Sequence, residues 1–278
     1  MSHIVFSHGN SFPASTYRVV LDSLRARGFA VSAIEKYGHD PDYPVTDNWP
    51  HLVRQLADFA TQRQREAGGE PAWLVGHSLG GILSLMCAAQ HPALARGVLM
   101  LDSPVLGGWR ASAVGMAKRT PLMRKLSPSQ VSRRRREEWE DREAVFQHFR
   151  AKRVFSLWDE QVLHDYVDHG TIDADGTWRL AFRREVESAI YDTLPHHIGT
   201  LLREHPLKCP VAFIGGLQSA EIRQVGGLGP TTRFMRGRVM MIDGTHLFPM
   251  EKPLATAAAI EASLRAMGQA LPAAAVRG

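Results

Sequence analysis

Gly76-His77-Ser78-Leu79-Gly80 sets a serine between two glycines in the spacing G-x-S-x-G. A serine hydroxyl is a weak nucleophile near neutral pH. Chemistry at Ser78 therefore needs a base to take its proton, and donors to hold the oxyanion that forms on attack at a carbonyl. A glycine-rich helix entry with a capping serine has the same pattern, so context must decide. Here the apolar run 72–75 precedes the motif and an apolar helical stretch, 82–90, follows it, which puts Ser78 on a strand-to-helix turn. Such a turn leaves no room for side chains at positions 76 and 80. It also aims the first N–H groups of the helix, Leu79 foremost, at the developing charge.

A second donor is expected from the loop after the first apolar run. There His8-Gly9-Asn10-Ser11 stands, and Gly9 lets the backbone fold close, so the amide of Asn10 is predicted to join that of Leu79. The chain has 13 histidines, so position must select the base. His246, within Gly244-Thr245-His246-Leu247-Phe248-Pro249, follows the last strand-like run and precedes the final helix, the last place in the order serine, acid, histidine. His8 and His77 are expected as structural neighbours of the turn. His164, His169, His196 and His197 lack the spacing to further Cys, Asp or Glu that a metal needs, so neither a metal nor another cofactor is expected.

These residues require elements to carry them. Short apolar runs at 3–7, 29–34, 72–75, 97–101, 211–214 and 238–242 alternate with helical patterns at 17–27, 49–66, 82–90 and 254–267. That alternation predicts an α/β protein with a mostly parallel, doubly wound sheet. From about 109 to 204 the alternation stops, and the sequence is helical, charged and arginine-rich without a convincing buried strand. The expected organisation is a core of 1–108 and 206–278 with a helical cap inserted at 109–205. Ligands of open α/β sheets bind beyond the carboxyl ends of the strands, so cap and strand ends are expected to enclose the site.

His8-Gly9-Asn10, Gly76-His77-Ser78-Leu79-Gly80-Gly81, Leu101-Asp102-Ser103-Pro104 and Gly244-Thr245-His246 together resemble the α/β-hydrolase superfamily, in matching order. The resemblance covers 1–105 and 207–267 and implies the α/β-hydrolase fold with a serine nucleophile. Members with aspartate at the nucleophile position, the epoxide hydrolases and dehalogenases, are disfavoured by Ser78. Most of the family places its acid after the next-to-last strand as G-x-x-D, whereas this chain has Gly216-Leu217-Gln218-Ser219. Serine cannot carry the charge that steadies an imidazolium. Three substitutes are in range: Asp102 at the end of the strand after the Ser78 helix, Glu221 two residues past the usual place, and Asp243 at the end of the strand before His246. Asp102 is preferred, because a strand carboxyl end faces the site.

The net charge of +5 is too mild to indicate nucleic acid, and no aromatic platform accompanies the arginines. Arg133 to Arg136, followed by Glu137, Glu138, Glu140, Asp141, Arg142 and Glu143, is expected as a solvated helix laced with ion pairs, with a phosphate clamp as the sharper alternative. Phe146, Phe149, Phe155, Leu157, Trp158 and Trp178 are candidates for an acyl pocket or for cap core. Cys87 and Cys209 are expected as buried free thiols. No secretion signal or membrane-length apolar run is recognised, so a cytoplasmic location is expected. The predicted function is hydrolysis of a small or medium acyl ester or thioester through an acyl-Ser78 intermediate. C–C bond hydrolysis, perhydrolysis without cofactor, or ligand binding without turnover remain the alternatives.

Overall fold

The computed structural model describes residues 2–104 and 128–269. The expected core-to-cap boundary at 108/109 and the end of the chain lie outside them. In chain order come β1 (His3–Ser7), α1 (Arg18–Ala26), β2 (Ala30–Ala33), α2 (Pro50–Glu66), β3 (Ala72–His77), α3 (Leu79–Gln90) and β4 (Ala95–Leu101). An insertion follows, made of α4 (Pro128–Arg133), β5 (Glu138–Trp139), α5 (Arg142–Arg150), α6 (Glu160–Gly170), β6 (Thr171–Ala174), β7 (Thr177–Leu180), α7 (Arg184–Asp192) and α8 (Ile198–Glu204). The chain then resumes with β8 (Val211–Gly216), α9 (Ala220–Gln224), α10 (Gly229–Phe234), β9 (Val239–Ile242), α11 (Phe248–Glu251) and α12 (Pro253–Gln269).

Six strands form one sheet in the order β2-β1-β3-β4-β8-β9. Every pairing within it is parallel. Side chains alternate between its two faces, as the pleat requires. Ile4, Phe6, Val75, Leu99 and Leu101 pack with α1 and α12 on one side. Val5, Leu74, Val98 and Met100 pack with α2 and α3 on the other. Both faces are thus covered, which is why these strands are continuous apolar runs. β2 and β3 flank β1 on opposite sides, so the loops after β1 and β3 diverge at a topological switch point, where α/β sheets open a crevice.

The insertion is not purely helical. β5, β7 and β6 form a three-stranded antiparallel sheet. The link from β6 to β7 is Asp175-Gly176, with φ of 55° and 83°, the two left-handed residues of a tight hairpin turn. That Asp-Gly step was the available sequence signal, masked by strands only two to four residues long. The charged run 132–143 is likewise not one helix. α4 stops at Arg133, and α5 starts anew where the Asp141 carboxylate accepts from the Ala144 N–H at 2.7 Å. Among the described residues no helix is long and apolar enough to cross a membrane.

Candidate active site

Ser78 joins β3 to α3 with φ 53° and ψ −113°, a backbone conformation strained for a serine and typical of a sharp elbow. The turn is closed by close packing. A Cβ on Gly76 would stand 2.2 Å from the Gly80 carbonyl carbon, and one on Gly80 2.0 Å from the Ser7 carbonyl oxygen. The Ser78 N–H donates to the Leu101 carbonyl at 2.9 Å, and the Ser103 hydroxyl donates to the Ser78 carbonyl at 2.7 Å. The turn is therefore fastened to the end of β4.

In the loop after β1 the Gly9 N–H donates to the Tyr17 hydroxyl at 2.9 Å, and the Ser11 N–H to Asn10 Oδ1 at 3.1 Å. The Asn10 side-chain amide donates to the Glu187 carbonyl at 3.1 Å, tying this loop to the insertion. Neither the Asn10 N–H nor the Leu79 N–H donates to another group among the described residues. Two free amides on the loops after β1 and β3 suit an anionic oxygen between them.

His246 is fixed by its own turn. The Thr245 N–H donates to Glu251 Oε2 at 2.9 Å, the Thr245 hydroxyl donates to the other oxygen of that carboxylate, and the Leu247 N–H donates to Thr245 Oγ1 at 3.1 Å. His77 holds the same turn from the elbow. Its Nε2 lies 2.9 Å from the His246 carbonyl oxygen, so this nitrogen carries the proton. Burial, then the neighbouring His246, keep His77 well below the usual imidazole range and hence neutral. Its Nδ1 must therefore accept, and the Tyr17 hydroxyl donates to it at 2.7 Å. Gly9 N–H, Tyr17, His77 and the His246 carbonyl form one polarised chain from the first loop to the last. No local pattern in the sequence signalled Tyr17 or Glu251.

His246 Nδ1 lies 3.8 Å from Asp102 Oδ1 and 3.8 Å from Glu221 Oε2, beyond hydrogen-bond reach of both. The two carboxylates differ in surroundings. The Asp102 side chain is 0% exposed and that of Glu221 42%. Asp102 accepts from the Gly216 N–H at 3.2 Å and the Ser219 hydroxyl at 2.9 Å. A buried, hydrogen-bonded carboxylate acts on the imidazole with little solvent screening, whereas the field of an exposed one is weakened by water. Asp243 is not brought to His246. It accepts from the Gln218 amide at 2.6 Å and pairs with Lys252 at 3.4 Å on the surface, and these two partners, Gln218 first, hold its carboxyl below the usual range.

Ser78, His246, Asn10 and Glu221 line one cavity of about 840 Å³. Phe12, Phe149, Phe155, Leu157 and Leu247 form its apolar side. Of the six aromatic and leucine residues considered for an acyl pocket, Phe149, Phe155 and Leu157 are on its wall; Phe146 and Trp158 are buried in the core, and Trp178 packs against it. A second cavity, about 540 Å³, lies beside Cys209, Pro210 and Arg238, away from this centre. Both cysteines are free, and burial raises Cys87 to about 12 and Cys209 to about 11, leaving unreactive thiols.

A parallel sheet with a strained serine elbow and a histidine loop at its carboxyl end defines the α/β class of hydrolases. A model of the alpha/beta hydrolase family matches residues 4–259, and the chain belongs to that family. Over 106 residues it is 26% identical to monoglyceride lipase of Rattus norvegicus, a stretch covering 37% of this chain and 35% of the lipase. The matched stretch is thus about a third of that relative. The fold is similar to a peroxisomal alpha-beta-hydrolase of Saccharomyces cerevisiae, with TM-score 0.75 and 17% identity over 99% of this chain and 79% of that one. It is also similar to E-2-(acetamidomethylene)succinate hydrolase, with TM-score 0.69 and 21% identity over 95% and 91%.

Proposed function

We propose that the chain is a serine esterase or thioesterase acting on a small or medium acyl group, with Ser78 as nucleophile, His246 as general base and Asp102 as the supporting acid. The observation that carries it is the meeting of Ser78 and His246 in one cavity, with the buried Asp102 carboxylate 3.8 Å behind the imidazole Nδ1. With Nδ1 turned to Asp102, Nε2 is left to take the Ser78 proton as Oγ bonds to the acyl carbon. The oxyanion is held by the Asn10 and Leu79 amides. His246 then returns the proton to the departing alcohol or thiol, and water activated by the same imidazole releases the acid from acyl-Ser78. Long contacts such as that to Asp102 shorten when positive charge develops on the ring.

The insertion supplies Phe149, Phe155 and Leu157 to the cavity and so acts as a cap over the core of 1–108 and 206–278. The relatedness to monoglyceride lipase supports an ester substrate. The test is a fluorophosphonate probe, which should label one residue per chain, on the peptide containing Ser78. Ser78→Ala should abolish both labelling and nearly all turnover of short acyl esters. Undiminished labelling of Ser78→Ala protein would refute the assignment, and an unlabelled wild-type chain would favour ligand binding without turnover.

A further inference from the structure

We propose that the cavity is built for a substrate whose acyl group ends in a carboxylate, and that Lys152 is the specificity residue that receives it. This presupposes the acyl-Ser78 chemistry above and adds the class of acyl group.

Lys152 lines the cavity that contains Ser78, and its ammonium stands 5.1 Å from the ring centre of Phe149 on the same wall. Its backbone is fixed: the N–H donates to the Phe149 carbonyl at 2.9 Å, while its own carbonyl accepts from Phe155 at 2.9 Å and Ser156 at 3.1 Å. Among the described residues no carboxylate pairs with the ammonium. The stretch 105–127 contains no Asp or Glu and so has no side-chain carboxylate to offer.

The neighbouring cation, Arg135, already has its own partners. Arg135 Nη1 donates to Glu187 at 2.7 Å and Nη2 to the Tyr166 hydroxyl at 2.8 Å, and the Ser132 hydroxyl donates to the other Glu187 oxygen at 2.7 Å. Glu187 is therefore occupied by Arg135 and Ser132, and Lys152 remains a half-buried cation of that wall with no carboxylate partner among the described residues. Partial burial, then repulsion by Arg135, lower its pKa from the usual lysine value. A half-buried, unpaired ammonium beside apolar side chains is costly, and an arriving anion offsets that cost through a charge-assisted hydrogen bond. Arg153, on the same cavity wall, adds attraction of the same sign.

Carboxylate fits better than the phosphates of a coenzyme A carrier. Arg133 and Arg135, two of the four consecutive arginines considered for such a clamp, already hold Asp192 at 2.6 Å and Glu187 at 2.7 Å. Lys152 offers a single point charge inside the cavity, matched to one small anionic terminus.

The test compares mono-4-nitrophenyl glutarate with 4-nitrophenyl valerate, of equal acyl length and differing in the terminal carboxylate. The kcat/KM ratio should favour the glutarate by roughly tenfold or more, as one charge-assisted bond allows. Lys152→Met should remove that preference and Lys152→Arg retain most of it. A wild-type ratio at or below unity, or a ratio that Lys152→Met leaves intact, overturns the carboxylate site. So does a Lys152→Met effect confined to valeryl-CoA when set against the valeryl thioester of N-acetylcysteamine. A binding arm separates this from the catalytic assignment. Monomethyl glutarate should bind Ser78→Ala protein by calorimetry, and adding Lys152→Met should weaken it about tenfold. Lysine-dependent binding in a chain that cleaves no ester would leave the anion site standing and sink the esterase; ester cleavage without carboxylate preference would do the reverse.

Discussion

The Ser219 hydroxyl donates to Asp102 Oδ1 across 2.9 Å. The residue standing where most of the family has its acid instead supports a carboxylate from the neighbouring strand. The same hydroxyl accepts from the Ile222 N–H at 3.2 Å, so Ser219 also caps α9. With Oδ2 held by the Gly216 N–H, the Asp102 carboxylate is fixed in orientation before His246 meets it.

Asp102→Asn should lower kcat by up to ~10⁴ with the fold retained, because the amide favours the wrong imidazole tautomer. Glu221→Gln, at an exposed carboxylate, should cost only a few-fold. Steady-state rates on one neutral ester decide between them, and a crippled Glu221→Gln beside an active Asp102→Asn would reverse the assignment.

Tyr17→Phe removes both the donor to His77 and the acceptor of the Gly9 N–H. The stranded buried amide should cost about 1–3 kcal/mol in stability. Slackening of the His246 turn should lower kcat several-fold, with KM little changed. Chemical denaturation and kinetics on the same preparation check this. A full stability loss with unaltered kcat would show that the Tyr17–His77 chain supports the fold alone.

Arg135 and Arg134 should behave oppositely despite being neighbours. Arg135 is 15% exposed and its partner Glu187 5%, so Arg135→Leu strands a buried carboxylate and should destabilise by about 3–5 kcal/mol. Arg134 is exposed, and Arg134→Glu should stay within about 0.5 kcal/mol. Urea midpoints of the two variants give the comparison, and equal midpoints would contradict the inward placement of Arg135.

Stability should fall in mild acid before carboxylates titrate. Burial, opposed by the bond to the Gly9 carbonyl, lowers His8 to about 4, and burial lowers His77 well below 6.5. Both are neutral when folded and take up protons near 6.5 when unfolded, so the unfolded state binds more protons and stability drops as pH falls below that value. From pH 7 to 5.5 the two together should cost roughly 2 kcal/mol. His8 is pinned neutral because its Nδ1–H donates to the Gly9 carbonyl at 2.7 Å and its Nε2 accepts from the Tyr37 N–H at 3.0 Å. Equal unfolding free energies at the two pH values would show that these rings accept protons in place.

The sequence by itself determined the features written in neighbouring residues. Gly76, Ser78 and Gly80 are within five positions, and β1, β3 and β4 are short continuous apolar runs separated by helical patterns, so the elbow, the parallel sheet and the loops carrying Asn10 and His246 were legible without coordinates. The exception of this kind was the hairpin at Asp175-Gly176, whose turn signal was present but whose strands were too short to show an alternation. Only the tertiary structure decided what depends on partners distant along the chain. Asp102 and Glu221 both approach His246 Nδ1 to 3.8 Å, and burial together with the hydrogen bonds from Gly216 and Ser219 sets Asp102 apart. That burial comes from the pairing of β4 with β8, which sets Leu101 against Ile214 and carries Asp102 to Gly216 and Ser219. Arg135 looked like one of four solvated arginines until Glu187, fifty-two residues on, was seen to draw it inward. Local spacing records how a chain turns; it does not record which remote side chain fills the dielectric around a charge, and that set the burial of Asp102, the Arg135–Glu187 ion pair and the unpaired lysine.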